Sequence, residues 1–482
     1  MQIDRRDFLK LAGAGLCLPA LGHVPQARAD SGRLPNIVLV MADDQGWGDM
    51  AYNGHPVLKT PNFDDMAATG MRFDHFYAAH PVCSPTRGSV MTGRNPNRFG
   101  CFSWGNTLRP QEVTIAEALH TAGYVTGHFG KWHLGGVRKG SPVSPGASGF
   151  DEWLSAPNFF DNDPILSREG VAVQTRGESS MVTVDAALEF MRKQADGESP
   201  YLAVVWFGSP HLPHKAVDRD KEPYKDQSEE LQNFYGEITG MDRAFGKLRD
   251  ELRTLANSEN TILWYCSDNG GIPQGGTTGG RGHKANIYEG GLRVPGIIEW
   301  PEKLKSNSVT NLPCTTSDIY PTLLDIAGVT IEHQPVLDGV SLAPLLTGGS
   351  KTTREPIGFW NFHPGGIGTN SVKLMTELME SQSKGDMLGD MKYLRLESAT
   401  IDKQYPETTF PGHAAWLDWP WKLHRIQHDG DSVKYELYNM DSDPMEEKDL
   451  LASQPERVKS MAKQLQEWQA SVMRSLNGKD YK

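Results

Sequence analysis

The sequence predicts an α/β fold in which helices sandwich a large mixed, mostly parallel sheet. Apolar runs of strand length recur along the chain, and segments with helical periodicity separate them. The runs are almost continuously apolar, which indicates strands that are covered on both faces. The clearest predicted strands are Asn36 to Ala42, Tyr124 to Lys131, Tyr201 to Gly208, Thr261 to Cys266 and Val294 to Trp300.

The helices between these strands are predicted from their periodicity and their end signals. The segment Pro61 to Thr69 follows Thr60, a residue type that caps helix N-termini. Two of the other segments end directly before a glycine, which is typical of a helix C-terminus. These other predicted helices are Gln111 to Ala122, Val182 to Gln194, Glu229 to Ala256 and Asp318 to Ala327.

From about Arg354 the pattern changes to alternating segments that contain aromatic residues. These segments predict a small antiparallel sheet, and Pro455 to Leu476 predicts an amphipathic terminal helix. The segment Asn370 to Asp390 is polar and is interpreted as a loop or lid. The predicted strands of this sheet are Met391 to Leu396, Trp421 to Ile426 and Tyr435 to Met440.

The length of 482 residues exceeds what one ordinary core holds. We therefore predict an N-terminal domain at 30–353 and a C-terminal subdomain, with the small sheet and the terminal helix, at 354–482. The formal net charge is −12, which argues against a nucleic-acid partner. An anionic ligand would have to be attracted by local basic groups.

Residues 1–29 predict a twin-arginine signal peptide. Arg5 and Arg6 precede an apolar run from Leu11 to Leu21, and Ala27-Arg28-Ala29 fits a small-x-small cleavage site. No later run has the length of a membrane helix, so we expect no membrane span in the mature chain. The interpretation implies passage through the twin-arginine translocon and a bacterial protein that is periplasmic or secreted.

The cysteines do not indicate a disulfide framework. The full chain contains Cys17, Cys83, Cys101, Cys266 and Cys314, and the first of these lies in the predicted signal peptide. A sparse set of this kind allows one bridge at most, and we expect none.

Polar residues follow the predicted strands at their carboxyl ends. The first strand is followed by Asp43 and Asp44, and the third by His211. The second ends at Lys131, with His133 two residues further on, and the fourth is followed by Asp268 and Asn269. Open α/β sheets bind ligands at this edge, so the sequence predicts one site there.

The stretch Cys83-Ser84-Pro85-Thr86-Arg87-Gly88 carries a specific chemical signal. It resembles the sequence that marks a cysteine for oxidation to Cα-formylglycine in type I sulfatases, members of the alkaline phosphatase-like superfamily. Hydration of this aldehyde gives two hydroxyls, of which one attacks the sulfur of a sulfate ester and the other expels the sulfate by C–O cleavage. Pro85 is predicted to begin a helix that runs to about Gly93, which would place Cys83 at the positive helix end.

The resemblance extends over roughly Asn36 to Leu450 and rests on several further motifs. They imply a sulfuric ester hydrolase whose N-terminal domain is catalytic. The motifs are Gly123-Tyr124-Val125-Thr126-Gly127-His128-Phe129-Gly130-Lys131-Trp132-His133, Ala42-Asp43-Asp44, Ser209-Pro210-His211-Leu212-Pro213, Ser267-Asp268-Asn269-Gly270, Lys284 before Tyr288-Glu289-Gly290-Gly291-Leu292-Arg293-Val294-Pro295, and Leu437-Tyr438-Asn439-Met440-Asp441-Ser442-Asp443-Pro444.

The carboxylate and amide oxygens at two of the strand ends suit a hard cation. By resemblance this is one Ca²⁺ per chain, which would also hold the modified Cys83 and a sulfate oxygen and act as a Lewis acid. The predicted metal ligands are Asp43, Asp44, Cys83, Asp268 and Asn269.

The resemblance also implies roles in catalysis for the other polar residues. Lys131 orients the hydrate and the sulfate, Arg87 bridges to the modified residue, and His133 takes the proton of the second hydroxyl. His211 and Lys284 contact the sulfate on its leaving-group side, and we assign protonation of the departing alcohol to His211. Asp268 is also expected to accept the proton of the attacking hydroxyl. A formylglycine-generating enzyme is an implied transient partner.

Other functions remain open from the sequence. Some phosphonate monoester hydrolases carry the same modified cysteine, and an unmodified Cys83 would leave a non-catalytic glycan-binding relative. Export favours a sulfated saccharide as the substrate, with an aryl sulfate as the simpler ester. Trp416, Trp419 and Trp421 are interpreted as core residues rather than sugar platforms. A further set of polar residues is interpreted as exposed, namely His55, Arg94, Arg98 and His363.

Overall fold

Sixteen β-strands form three sheets in the residues that the structure describes. The structure is a computed structural model that describes residues 32–275, 279–349, 353–362, 365–427 and 432–481. The strands are β1 (Asn36–Ala42), β2 (Met71–Phe73), β3 (Phe76–Tyr77), β4 (Val125–Lys131), β5 (Glu152–Ala156), β6 (Ile165–Arg168), β7 (Val171–Gln174), β8 (Tyr201–Trp206), β9 (Thr261–Ser267), β10 (Gly296–Glu299), β11 (Ser308–Thr310), β12 (Cys314–Thr315), β13 (Ile357–Asn361), β14 (Gly412–Asp418), β15 (Trp421–Gln427) and β16 (Lys434–Asn439).

The largest sheet has ten strands in the order β11-β2-β10-β9-β1-β8-β4-β5-β6-β7. Its five central strands, β9, β1, β8, β4 and β5, run parallel to one another. Strand β10 is antiparallel to β9, and β6 is antiparallel to β5. The predicted mixed, mostly parallel sheet is therefore confirmed, and the carboxyl ends of its central strands share one edge.

The helices begin and end close to the predicted residues. The predicted helix Gln111 to Ala122 starts only at Ile115, because Thr114 and Glu117 form a capping box there. The α-helices of the described residues are α1 (Pro61–Thr69), α2 (Cys83–Thr92), α3 (Ile115–His120), α4 (Ser179–Ala195), α5 (Asp218–Lys221), α6 (Glu229–Leu252), α7 (Glu289–Leu292), α8 (Ile319–Ala327), α9 (Ala343–Leu346), α10 (Ser371–Ser383) and α11 (Pro455–Leu476).

Both faces of the large sheet are covered, as the continuous apolar runs predict. Alternate residues of β1 lie in different hydrophobic cores: Ile37 and Leu39 pack with residues of α2, α3 and α8, whereas Val38 and Val40 pack with residues of α1, α4 and α6. The sheet is thus the middle layer between two layers of helices. Neither face of its central strands is left for a ligand, so the strand ends are the available site.

The C-terminal segment forms a four-stranded antiparallel sheet, β13-β14-β15-β16, against α11. The predicted sheet and terminal helix are confirmed. Trp416 is buried in their shared core, as interpreted from the sequence. Residues Leu34–Lys482 form one compact unit. The proposed domain boundary between residues 353 and 354 stays a prediction.

Two predictions for this segment are wrong. Met391 to Leu396 is not a strand, because Asp390 caps a short 3-10 helix at Met391–Leu394 and Arg395 has a positive φ of 57°. The segment Asn370 to Asp390 is not simply a loop, since it contains α10. The Asn370 side chain caps this helix, and Met375 and Leu378 are buried.

Arg94 and Arg98 are buried rather than exposed. Arg94 forms ion pairs with Glu112 and Asp480, and Arg98 donates two hydrogen bonds to Asp338, at 2.6 and 2.8 Å. Both arginines therefore fasten the region after α2 to other parts of the fold. His55 is also buried, with Nδ1 accepting from the backbone of Val57 and Leu58, whereas His363 lies outside the described residues.

Two other sequence predictions concern disulfides and membrane helices. Cys83, Cys101, Cys266 and Cys314 are present as buried thiols. Within the described ranges, no helix has the length and apolar character needed to cross a membrane. The predicted signal peptide, residues 1–29 with Cys17, lies outside the described residues.

Candidate active site

The site is built first from the carboxyl ends of two neighbouring strands. The register of β1 and β9 pairs Ala42 with Ser267, so Asp43 and Asp268 leave the sheet side by side. The backbone fixes both residues: Asp43 N–H donates to the Ser209 carbonyl at 3.0 Å, and Asp268 N–H donates to the Ala42 carbonyl at 3.2 Å. Asp43 is thereby also positioned by the segment that follows β8, to which Ser209 belongs.

Cys83 enters this site from the helix side. It is the first residue of α2, two residues before the predicted start at Pro85, and it is buried. Its Sγ, a carboxylate oxygen of Asp43 and one of Asp268 all lie within 4.8 Å of one another. Burial raises the pKa of the Cys83 thiol, although Lys131 and Lys284 act in the opposite direction. The unmodified residue is therefore a neutral thiol.

Arg87 lies one turn into α2 and joins the helix to the sheet. Its Nε and Nη2 donate to Asp268 Oδ2 at 3.0 and 2.7 Å, and its Nη1 donates to the Lys131 carbonyl at 3.0 Å. The side chains of Arg87 and Asp268 are fully buried. The guanidinium also lies 5.1 Å from the ring centroid of Trp206, so its position is fixed on several sides.

Two lysines pair with the two aspartates that follow β1. Lys131 Nζ donates to Asp43 Oδ2 at 2.5 Å, and Lys284 Nζ lies 2.6 Å from Asp44 Oδ1 and 2.7 Å from its Oδ2. Burial alone would raise the pKa of Asp44, but Lys284 and His211 outweigh it and hold that pKa below its ordinary value. Positive and negative groups thus alternate across the site.

The two predicted histidines occupy different positions. His133 has a positive φ of 55° and is buried, and neither ring nitrogen has a hydrogen-bond partner among the described residues. Burial, with Lys131 and Arg87 adding to it, lowers the pKa of His133 well below its usual value. A neutral imidazole with a free ring nitrogen can accept a proton.

His211 lies nearer the solvent than His133. Its ring stacks on Phe159 with centroids 4.3 Å apart, and its Nδ1 lies 2.6 Å from the Leu212 carbonyl. The Nε2 atom is therefore the one that faces the site, 3.7 Å from Asp44 Oδ2. Burial lowers the pKa of His211 to about 4, against the raising effect of Asp44.

The oxygen atoms of the site fit a divalent cation. Asp43 Oδ1 and Asn269 Oδ1 are buried and have no hydrogen-bond partner among the described residues. The Asn269 Nδ2–H group donates to Asp44 Oδ1 at 2.9 Å. This bond fixes the orientation of the amide, so that Oδ1 of Asn269 points away from Asp44. Unpartnered buried oxygens of this kind can serve as cation ligands, and an all-oxygen set suits Ca²⁺ better than a softer metal.

The C-terminal segment holds the start of α7, a contact that was not predicted from the sequence. Glu289, a few residues after Lys284, accepts from Lys422 Nζ at 3.3 Å, and its backbone N–H donates to Glu446 Oε2 at 2.7 Å. Glu446 also accepts from His424 at 2.7 Å. The motif that ends at Pro444 gave the only signal, because it lies next to Glu446 in the sequence.

The structure brings all the predicted polar side chains to one edge of the large sheet. Cys83 and Arg87 come from α2, Lys131 is the last residue of β4, and the others come from segments that follow β1, β4, β8 and β9. None of the predicted site residues lies elsewhere in the fold. The grouped residues are Asp43, Asp44, Cys83, Arg87, Lys131, His133, His211, Asp268, Asn269 and Lys284.

Comparison with known proteins identifies the family of this arrangement. A family profile described as Sulfatase matches residues 35–329. The N-acetylgalactosamine-6-sulfatase of Canis lupus familiaris is 33% identical over 394 residues, which cover 72% of this chain and 71% of that protein. The ulvan-active sulfatase of Formosa agariphila is 32% identical over 335 residues, which cover 65% of each chain.

Solved structures agree in fold. The crystal structure of Ps i-CgsB in complex with k-i-k-neocarrahexaose has a TM-score of 0.75 at 23% identity, and the match covers 91% of this chain and 93% of the other. The fold and the site are those of an enzyme of the alkaline phosphatase-like superfamily. Within it, the chain belongs to the sulfatase family and is a sulfatase.

The contacts of Arg87 generate a prediction. Arg87→Lys keeps the positive charge, but a lysine has no planar fork to span Asp268 and the Lys131 carbonyl. We expect kcat/KM for an aryl sulfate to fall about a hundredfold or more, as for the loss of one preorganised donor. Arg253→Lys, at an exposed surface ion pair, is the control and should match the wild type. Wild-type kinetics for Arg87→Lys would contradict this role.

Proposed function

We propose that this sulfatase removes sulfate from a sulfated carbohydrate, with a formylglycine formed from Cys83 as its nucleophile. The observation that carries the proposal is the position of Cys83. Its sulfur atom lies at the start of α2, within 4.8 Å of carboxylate oxygens of Asp43 and Asp268. The cations of the site surround these same carboxylates.

The oxidised side chain would supply a hydrate with two hydroxyls, one to attack sulfur and one to expel the sulfate by C–O cleavage. Asp268 is placed to accept the proton of the attacking hydroxyl. Its pKa is raised to about 6, by burial first and by Asp43 second. Arg87 holds the same carboxylate through Oδ2, which keeps its orientation fixed. Nucleophile and base would therefore be positioned before the substrate binds.

The remaining groups act on the sulfate and on the leaving group. His133, whose ring nitrogens have no partner among the described residues, takes the proton of the second hydroxyl. His211 would protonate the departing alcohol from Nε2 in its imidazolium form, because the proton of the neutral ring lies on Nδ1, which donates to the Leu212 carbonyl. Lys131 and Lys284 stabilise the negative charge that develops on the sulfate oxygens.

A Ca²⁺ ion held by Asp43, Asp44, Asp268, Asn269 and the modified Cys83 would supply Lewis-acid stabilisation of a sulfate oxygen. The unpartnered oxygens of Asp43 and Asn269 support this ligand set. Lys284 and His211 lower the pKa of Asp44, which keeps this carboxylate ionised, as a metal ligand must be.

The carbohydrate and the cellular setting are inferred from the relatives and from the N-terminus. The relatives are named for N-acetylgalactosamine and for ulvan, which supports a sulfated saccharide. The twin-arginine motif supports export to the periplasm or medium. Cargo of this translocon crosses folded, so a formylglycine-generating enzyme would act on Cys83 in the cytoplasm before export.

Modification of Cys83 is tested by intact mass and by activity. Protein purified from a host with a formylglycine-generating enzyme should lack one sulfur and two hydrogens and carry one additional oxygen. Cys83→Ala should show no such change and no hydrolysis of an aryl sulfate. Cys101→Ala, at another buried thiol, should keep the mass change and is the matched control. An active protein with an intact Cys83 thiol would refute the proposal.

The reaction class is tested by comparing two esters with the same leaving group. We expect kcat/KM for an aryl sulfate to exceed that for the matching aryl phosphonate monoester by about a hundredfold or more. The site has three cations paired to three carboxylates. A phosphonate monoester carries the same single charge as a sulfate ester, so the geometry of the site, and not its charge, must discriminate between the two esters. Preference for the phosphonate would identify a phosphonate monoester hydrolase instead.

Metal binding is tested through stability as well as activity. A ligand that binds only the folded state raises the melting temperature with its concentration. We expect Ca²⁺ added to chelator-treated protein to raise Tm, and Asn269→Ala to reduce that shift strongly. Asn311→Ala, at an exposed asparagine, should retain it. An unchanged shift in Asn269→Ala would remove this residue from the ligand set.

A further inference from the structure

A pocket of about 410 Å³ opens beside the catalytic centre. His133 lines it, so it is continuous with the site described above, and the volume lies in the range of pockets that bind small molecules, about 300–1,000 Å³. Its other walls come from two parts of the chain. One wall is formed by the loop 135–138, and the facing wall by residues between Ile367 and Glu397.

The second wall is held firmly against the first. A Cβ at Gly136 would lie 2.4 Å from the Tyr393 carbonyl, so the two loops approach as closely as only glycine permits. Ile367 N–H donates to the Trp104 carbonyl at 2.7 Å, and Asn158 donates to the Thr369 carbonyl at 2.8 Å. The pocket is therefore a built feature of the folded chain.

Arg138 places a positive charge in this pocket. It is buried, and its hydrogen bonds go to backbone carbonyls: Nη1 donates to Leu388 at 2.9 Å and Asp390 at 3.4 Å, and Nη2 donates to Leu374 at 3.5 Å. Three of the five N–H donors are thus used, which leaves two. Among the described residues, no carboxylate forms an ion pair with Arg138.

A buried cation without a carboxylate partner is unfavourable unless something compensates its charge. Burial lowers the pKa of Arg138. The ring of Tyr393, 4.8 Å away, and the more distant carboxylates of Asp390, Glu377 and Asp386 compensate only in part. A bound anion would supply the missing negative charge.

Two more cations line the pocket, together with one carboxylate. Arg395 Nη1 lies 3.8 Å from Glu397 Oε1, longer than a direct hydrogen bond, and both residues line the pocket. Lys392 is exposed and pairs with Asp390 at 2.6 Å, and its Nζ lies 4.6 Å from the ring centroid of Tyr393. Positive groups thus exceed negative ones in the lining, and an aromatic ring lies among them.

Building on the proposed function, we propose that this pocket binds a second anionic group of the saccharide substrate. Arg138 and Arg395 would hold it, and Lys392 would add to the field. The group is either a further sulfate ester or a uronate carboxylate, because both present the oxygen pair that a guanidinium recognises. The substrate class is therefore a saccharide with at least one negative charge beyond the sulfate that is removed.

The test measures binding to the Cys83→Ala protein, which is inert towards the substrate. Calorimetric Kd values are compared for a neutral disaccharide with one sulfate, a disulfated disaccharide, and a uronate disaccharide with one sulfate. We expect at least one of the dianionic ligands to bind about tenfold more tightly than the neutral one, the gain expected for a charge-assisted hydrogen bond. The two dianionic arms identify which anion is recognised.

Variants of the pocket locate the effect. Arg395→Gln and Arg138→Gln should each remove most of the difference between dianionic and neutral ligands. Arg395 is partly exposed, so Arg395→Gln is expected to fold. This variant therefore tests the inference even if the buried Arg138→Gln change prevents folding. Lys384→Gln, at an exposed lysine of the same segment, should leave the difference intact.

Equal binding of all three disaccharides, or an unchanged preference in Arg395→Gln, would overturn the inference. The result is independent of the proposed function, because hydrolysis is measured separately on the unmutated enzyme with an aryl sulfate. An enzyme that cleaves the aryl sulfate but binds all the saccharides alike contradicts only this inference.

Discussion

The ion pair between Arg87 and Asp268 connects the two halves of the active site. Both side chains are fully buried, so removing either partner would leave an uncompensated charge in the interior, at a cost of about 3–5 kcal/mol. The pair fixes α2, which carries Cys83, against the end of β9, which carries the proposed base. The third Arg87 contact, to the Lys131 carbonyl, extends the same constraint to β4.

Charge balance supports the metal ion that is proposed for this centre. Asp43, Asp44 and Asp268 are matched by Arg87, Lys131 and Lys284, so the protein groups alone are formally neutral. A divalent cation would make the centre positive and attract a sulfate ester. The net charge of −12 makes this local excess necessary, because the whole surface would repel such a substrate.

The sequence predicted the central strands and the grouping of the polar side chains at one edge of the sheet, for a physical reason. Buried parallel strands require continuous apolar runs, and their carboxyl ends meet at one edge, so order along the chain implies proximity. The conformation of Met391 to Leu396 depends instead on the cap at Asp390 and on packing against Gly136. Neither of these can be predicted from hydrophobic periodicity. Arg94 and Arg98 were misjudged because their partners, Asp480 and Asp338, lie far along the chain.

The proposed substrate recognition also has one part that follows the strands of the large sheet and another that depends on contacts distant in the sequence. Groups for the sulfate follow strands of the large sheet, whereas Tyr393 and Arg395 reach the pocket from the C-terminal segment. Lys284 contacts Asp44, and Glu289, which begins α7 a few residues later, is held by Lys422 and Glu446 of the C-terminal segment. If the pocket binds the saccharide as proposed, changes in the C-terminal segment will alter which saccharide is bound while Cys83, Arg87 and Asp268 keep their places.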